Sequence, residues 1–376
     1  MSKLLNPFVT GGYISSEYFC DRETETDQLL KSIQNGNNVT LISTRRMGKT
    51  GLIHHCFDDA EIVKNYTTFF VDIYATKSLN DFVFLLSRHI FDQLKSASRK
   101  VWERFLKTMQ SLRPEISFDE RGVPSLFLGI GDIRKPEVSL DEIFRFLHTS
   151  AKPCIVAIDE FQQITKYPET NTEALLRTYI QRSPQTRFIF SGSQRHLMGE
   201  MFSSAARPFF ASTSMVHLQS IDKLKYIEFA QRHFKSCHRE ITTETVEKIY
   251  DLFEGITWYI QKTLNALFGE TAEGSCCEAG MVDDIIKLII DSNQYTYAEN
   301  IFRLPEKQGK LLICIAKDGY VVAPTSSDFV RKHNLISASS IQAALRGLIE
   351  KEFVTRNEQG YAVYDKFFEI WLRAKY

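Results

Sequence analysis

An apolar strand running straight into Gly-Lys-Thr limits what this chain can fold into more than any other feature: Asn38-Val-Thr-Leu-Ile-Ser-Thr-Arg-Arg-Met-Gly-Lys-Thr50. A loop of this kind curls backbone N–H groups around phosphates. Lys49 then reaches the β/γ oxygens and the Thr50 hydroxyl ligates Mg²⁺. The pattern asks for Gly, four free positions and Gly-Lys-Ser/Thr. Here Ser43 takes the first Gly position, Thr44, Arg45, Arg46 and Met47 fill the free ones, and Gly48 completes the match. The next residues, Gly51-Leu-Ile-His-His-Cys-Phe57, read as a helix whose N-terminal partial positive charge faces the same anion. The expected ligands are ATP or ADP with Mg²⁺.

A second strand, Pro153-Cys-Ile-Val-Ala-Ile-Asp-Glu160, is a continuous apolar run ending on two carboxylates, as a buried parallel strand does. Asp159 at its end is expected to hold Mg²⁺ through water, and Glu160 to orient or polarise the attacking water. A third, Arg187-Phe-Ile-Phe-Ser-Gly-Ser-Gln194, ends in small polar groups. Ser191, Ser193 and Gln194 are sensor candidates beside a γ-phosphate, or simply a strand-to-helix turn with an N-cap. All three motifs fall at strand carboxyl ends, where ligands sit in open α/β sheets.

With 376 residues, 43% of them hydrophobic, the chain can bury two or three cores. Its formal net charge is zero, so no global basic field advertises nucleic acid. Leu311-Leu-Ile-Cys-Ile-Ala316 is far shorter than the roughly 20 apolar residues of a membrane span. The first residues carry no signal-peptide core, so a cytoplasmic location is the expectation. Seven cysteines without a Cys-x-x-Cys pair read as reduced thiols. His233, Cys237 and His238 read as a solvated helix end rather than metal ligands.

Along the chain, Tyr18–Glu25 reads as an N-capped start to a helix carrying Leu29, Leu30 and Ile33. Thr67–Ile73 is a further strand, and a helical stretch runs from Asn80 to about Leu112. Ile116–Phe118 and Leu126–Leu128 suggest a hairpin inserted within residues 113–138, after which Ser139-Leu-Asp-Glu142 offers a capping box. Met215–Gln219 makes the fifth core strand. The alternation predicts a three-layer α/β sheet with five parallel core strands over residues 1–219. Residues 220–300 turn helical, suiting a lid. Residues 301–376 read helix, helix, helix, hairpin, with Asn357–Gly360 turning a wing, which is a winged helix-turn-helix.

Together these segments resemble the archaeal-type ATPases, a family of STAND- and AAA-related P-loop proteins. Arg45-Arg46-Met-Gly-Lys-Thr50 is similar to the family's Arg-Arg-x-Gly-Lys-Thr loop, and Ile158-Asp-Glu-Phe-Gln162 to its Walker B strand. Ser191-Gly-Ser193 is similar to its sensor strand, and Tyr364–Leu372 to the end of its winged helix. The resemblance implies an ASCE-type P-loop fold. It also implies that Pro7, Phe8, Phe19 and Arg22, within Asn6–Phe8 and Phe19–Glu23, lie near the adenine. The chain departs from the family where relatives carry Pro-Leu-Tyr-Gly-Arg and it has Pro208-Phe-Phe-Ala-Ser212. Any charge-stabilising arginine must come from elsewhere, with Arg195 and Arg207 the candidates in this chain. The lid motif Gly-x-Pro is here Gly255-Ile-Thr257, followed by Trp258. A built-in nuclease activity is not expected.

Three readings follow. The first is a slow Mg²⁺-dependent ATPase acting as a nucleotide-controlled switch with a protein partner. The second is an ATP-modulated DNA-binding protein, the third a nucleotide binder with a structural role only. For DNA, residues 301–376 hold twelve Lys and Arg against eight Asp and Glu. Yet the expected recognition helix carries only Arg346, balanced by Glu350, which is poor material for major-groove readout. The sequence leaves the oligomeric state open.

Overall fold

The computed structural model describes residues 4–94, 99–111, 115–118, 124–127, 135–357 and 359–376. They form two compact units: Val9–Tyr226 with Ile256–Trp258, and Met1–Phe8 with Ile227–Gly255 and Tyr259–Tyr376.

In the first unit the chain order is α1 (Glu23–Gln34), β1 (Val39–Ile42), α2 (Lys49–Phe57), α3 (Ala60–Asn65), β2 (Thr67–Asp72), α4 (Leu79–Leu94) and α5 (Arg99–Thr108). Next come β3 (Glu115–Phe118), β4 (Pro124–Phe127), α6 (Pro136–His148), β5 (Cys154–Asp159), α7 (Thr172–Gln181), β6 (Thr186–Gly192), α8 (Arg195–Ser203), β7 (Ser214–His217) and the start of α9 (Lys223–Lys235). The expected five strands form one parallel sheet in the order β2-β5-β6-β1-β7.

Strand periodicity divides the core in two. Val156 and Ile158 of β5 and Phe188 and Phe190 of β6 join Phe82, Leu140, Leu176 and Met198 of α4, α6, α7 and α8. The alternate residues, Ile155, Ala157 and Ile189, join Leu29, Ile53 and Ile62 of α1, α2 and α3. This is the expected three-layer arrangement. It inserts β6 between the phosphate-loop strand β1 and the carboxylate strand β5.

Some local expectations change. β3 and β4 pair antiparallel as the hairpin required, while its turn lies outside the described residues. Ser139 does not cap α6. That helix begins three residues earlier, with Pro136 in its first turn, where a missing N–H costs nothing. The Ser139 hydroxyl instead bonds that of Ser111, and Glu142 accepts from the Ser111 N–H and hydroxyl. α1 has no side-chain cap; its N-cap position is Arg22, in the left-handed region with φ 71°.

The second unit contains the rest of α9, then β8 (Glu240–Ile241), α10 (Thr243–Leu252), α11 (Thr257–Glu270, from Tyr259 on), β9 (Cys276–Cys277) and α12 (Met281–Phe302). After these come α13 (Glu306–Asp318), α14 (Ser327–Lys332), α15 (Ala338–Glu350), β10 (Val354–Asn357), β11 (Gly360–Val363) and α16 (Lys366–Lys375). Ser337 caps α15 by accepting from the Ser340 N–H. β10 and β11 pair antiparallel as the wing, and Val321 bridges Tyr361 to extend it. Gly360 is required there: its φ is 130°, and a Cβ would lie 2.7 Å from the Val321 carbonyl oxygen.

Candidate nucleotide-binding site

The end of β1 delivers the loop Ser43–Gly48 onto the first turn of α2. Arg46 and Gly48 take the left-handed conformations, at φ 68° and 90°, whereas Ser43 does not, so a Cβ at that first position carries no backbone strain. The Ser43 hydroxyl donates to the Thr44 carbonyl at 2.8 Å and accepts from Lys49 Nζ at 3.2 Å. Lys49 is buried and its Nζ also donates to the Thr44 carbonyl. Burial lowers its pKa, and the nearby carboxylates of Asp159 and Glu160 oppose that shift.

Thr50 Oγ1 donates to Asp159 Oδ2 at 2.7 Å, which brings together the two residues expected around Mg²⁺ from positions 109 residues apart in sequence. A hydroxyl and a carboxylate oxygen suit that hard cation. Among the described residues no cluster of three or more His, Cys, Asp or Glu gathers for a metal. His233, expected to be solvated, is buried against Phe8 and Phe229.

Glu160 follows Asp159 with φ 54° and accepts at a single oxygen, Oε2, from the Ser193 hydroxyl at 2.7 Å and from Gln162 Nε2. Ser193 in turn accepts from Arg45 Nε at 3.2 Å. Of the sensor candidates, then, Ser193 touches the carboxylate, while Ser191 is fully buried with its hydroxyl unpartnered. Gln194 occupies the N-cap position of α8 without a side-chain cap bond. Arg195 is exposed, and Arg207 is engaged by Glu173 at 3.0 Å and Glu200 at 3.7 Å.

The four adenine-side candidates fall in different units. Pro7 and Phe8 belong to the second unit, where Phe8 is fully buried among Phe229, Phe234, Phe268 and His233. Its ring is therefore a core ring. Phe19 lies against the loop's helix: it stacks on His55 at 4.5 Å, and a Cβ on Gly51 would lie 3.2 Å from it. Arg22 is a buried strut, donating to Glu25 Oε1 and the Gln219 carbonyl at 2.6 Å each and to the Met47 carbonyl at 3.1 Å.

Sequence reading missed a second brace on the loop. The Trp258 N–H donates to the Arg46 carbonyl at 3.0 Å, the Thr257 hydroxyl approaches the Met47 carbonyl at 3.4 Å, and the Arg46 guanidinium lies 4.4 Å from the Trp258 ring centre. The lid motif at 255–257 was the available signal.

A glycine–lysine–threonine loop, a facing Asp-Glu pair and an intervening polar strand on a five-stranded parallel sheet define a P-loop ATPase. Residues 19–263 match the family described as "ATPase domain predominantly from Archaea", and the chain belongs to it. Residues 295–374 match the family described as "Probable winged helix domain". No curated protein matches the chain. Among solved structures, it is similar to the Walker-type ATPase of Pyrococcus abyssi at 17% identity and a TM-score of 0.67, over 98% of this chain and 99% of that one. It is also similar to the Aeropyrum pernix ORC2 protein in ADPNP–ADP complexes, at 13% identity and a TM-score of 0.58, over 98% and 95%. The ORC1 protein of that organism in complex with DNA matches at 11% identity and a TM-score of 0.51, over 95% and 93%. At these identities the likeness is one of fold. Among the described residues no helix is long and apolar enough to cross a membrane.

Proposed function

We propose that this chain binds ATP with Mg²⁺, hydrolyses it, and uses the nucleotide state as a switch. The observation that carries the reading is the meeting of Thr50 and Asp159 beside Lys49 and Glu160. Residues from two strands converge at the carboxyl edge of one sheet, in an order that suits phosphate, metal and water. Lys49 would neutralise β/γ-phosphate oxygens, and Thr50 and Asp159 would hold Mg²⁺, which supplies charge neutralisation across those oxygens. Glu160 would accept the proton of the attacking water.

Turnover by the isolated chain is slow in this reading, because Arg207 is engaged by two glutamates and a partner supplies the missing arginine. The switch is read through the brace at Thr257 and Trp258. Movement of Arg46 and Met47 on phosphate binding changes the acceptors on which α11 begins, and γ-phosphate contacts become motion in this way. Residues 220–300 then act as the lid and 301–376 as the output.

A second reading makes the winged helix a DNA reader. Exposed Arg346 on α15 and Arg356 on the wing favour it. Single-turnover hydrolysis of labelled ATP with Mg²⁺, with and without duplex DNA, separates the two. Slow turnover indifferent to DNA supports the protein-partnered switch, and stimulation by DNA supports the second reading. ATP bound tightly and never hydrolysed, with or without DNA, contradicts both and leaves a structural nucleotide.

A further inference from the structure

Gln162 ends the Asp-Glu-Phe-Gln segment, and the site as described so far gives it no task. Its side chain is buried, only 2% exposed, and its amide nitrogen bonds Glu160 Oε2. That orientation is chemically determined: turned over, the amide would set oxygen against carboxylate oxygen. The cost falls on the other side, where Gln162 Oε1 is buried with no hydrogen-bond partner.

The slot that receives this amide exists because residue 192 is glycine. A Cβ there would lie 2.4 Å from Gln162 Oε1 and 2.6 Å from Met198 Cγ and Sδ. Gly192 closes β6, and the next residue, Ser193, supplies the second donor to the same oxygen. Two donors from different elements therefore converge on Oε2 of a glutamate that itself sits in a left-handed conformation. A neutral amide is suited to this position, because it donates without adding charge beside Lys49 and Arg45.

We infer that Gln162 is the positioning residue of Glu160. With Ser193 it fixes Oε2, so that Oε1 is the oxygen presented to water, and Gly192 provides the space that lets it do so. This rests on the proposed role of Glu160 as proton acceptor.

The test uses the full chain, Mg²⁺-ATP and single-turnover rates, with binding of a fluorescent ATP analogue measured in parallel. Gln162→Leu is expected to keep nucleotide affinity within about twofold while the rate falls roughly tenfold to a hundredfold, the scale of a misplaced reacting group. Gln162→Glu keeps the shape but sets a second carboxylate against the first. The repulsion displaces Oε2, so the rate is expected to fall at least as far as in Gln162→Leu while nucleotide affinity again stays within about twofold. Gly192→Ala is expected to lower the rate as well, because its Cβ takes the space of the Gln162 amide and crowds Met198.

A Gln162→Leu rate equal to wild type overturns the inference, as does a Gln162→Glu rate equal to wild type. Glu160→Gln, run alongside, tells the two levels apart. If it hydrolyses normally, the proton-acceptor reading itself has failed. If it is inactive while Gln162→Leu is unaffected, only the positioning role has.

Discussion

Arg22 shows how one buried residue can tie a loop to the elements around it. Its guanidinium ties the head of α1, the carbonyl of Gln219 just beyond β7 and the Met47 carbonyl together from a buried position. Replacing it orphans two carbonyls and leaves Glu25 without its partner. Arg22→Ala is expected to lose about 2–4 kcal/mol of stability in urea unfolding. Arg22→Lys should recover only part, because an ammonium cannot span the same acceptors. At Lys49, burial lowers the pKa, and triphosphate beside it would raise it again. A ligand that raises a pKa binds more tightly as pH falls, so binding takes up protons at alkaline pH, between the free and bound values. Calorimetry of ATP binding in buffers of different ionisation enthalpy should show this uptake, and Lys49→Arg should abolish it.

At the level of elements, α2 carries Lys49 and Thr50, the proposed phosphate and metal residues, at its start and two half-buried histidines near its end. Burial lowers the pKa of both His54 and His55, against the smaller upward pull of Asp58. The unfolded chain, with histidines near 6.5, therefore binds protons first as pH falls. Stability from these groups is fully present above about pH 6.5 and is lost as pH falls through their lower folded values. Thermal midpoints measured between about pH 7 and pH 5 should show this fall, and a His54→Gln/His55→Gln variant should flatten it.

In the second unit, α16 holds a buried charge network. Lys366 Nζ lies 3.0 Å from Glu254 Oε1 and 3.2 Å from Glu369 Oε2, and Arg373 pairs with Glu369. Burial alone would lower the Lys366 pKa, but Glu369, Glu254 and Tyr320 together carry it upward. Lys366→Met is expected to cost about 1–3 kcal/mol in chemical denaturation, because Glu369 keeps Arg373 but loses its other ion-pair partner. Replacing Glu369 by Leu in the same chain should recover most of it.

For the whole molecule, the two units follow different routes through the sequence. Residues 256–258 join the first unit although their neighbours on both sides belong to the second, and Phe8 joins the second ahead of the entire first. The residues proposed to hold phosphate and Mg²⁺, Lys49, Thr50 and Asp159, all belong to the first unit. In the presence of Mg²⁺-ATP at a hundred times its dissociation constant, the folded state of that unit should gain about 2.7 kcal/mol. Calorimetric scans should show the gain as a raised midpoint, missing in Lys49→Ala.

Local chemistry made the central elements legible. The apolar run before Gly48-Lys49-Thr50, the two carboxylates after Ile158 and the continuous apolar runs of β5 and β6 each specify their element through neighbours a few residues away. Five parallel strands, a three-layer sheet and a hairpin wing follow from such patterns. Features that depend on residues far apart in sequence were not legible. No pattern near Phe8 distinguishes a ring that stacks on a base from one enclosed by Phe229, Phe234 and Phe268, since both need only an aromatic. Ser139 and Glu142 have the letters of a cap, and it took Pro136 and a distant Ser111 to give them other work. The slot at Gly192 depends on β5 and β6 lying side by side, and so does the meeting of Gln162, Ser193 and Glu160. Periodicity and turn chemistry act over a few residues and can be read along the chain. Hydrogen bonding and steric fit between strands depend on which strands become neighbours, and folding settles that.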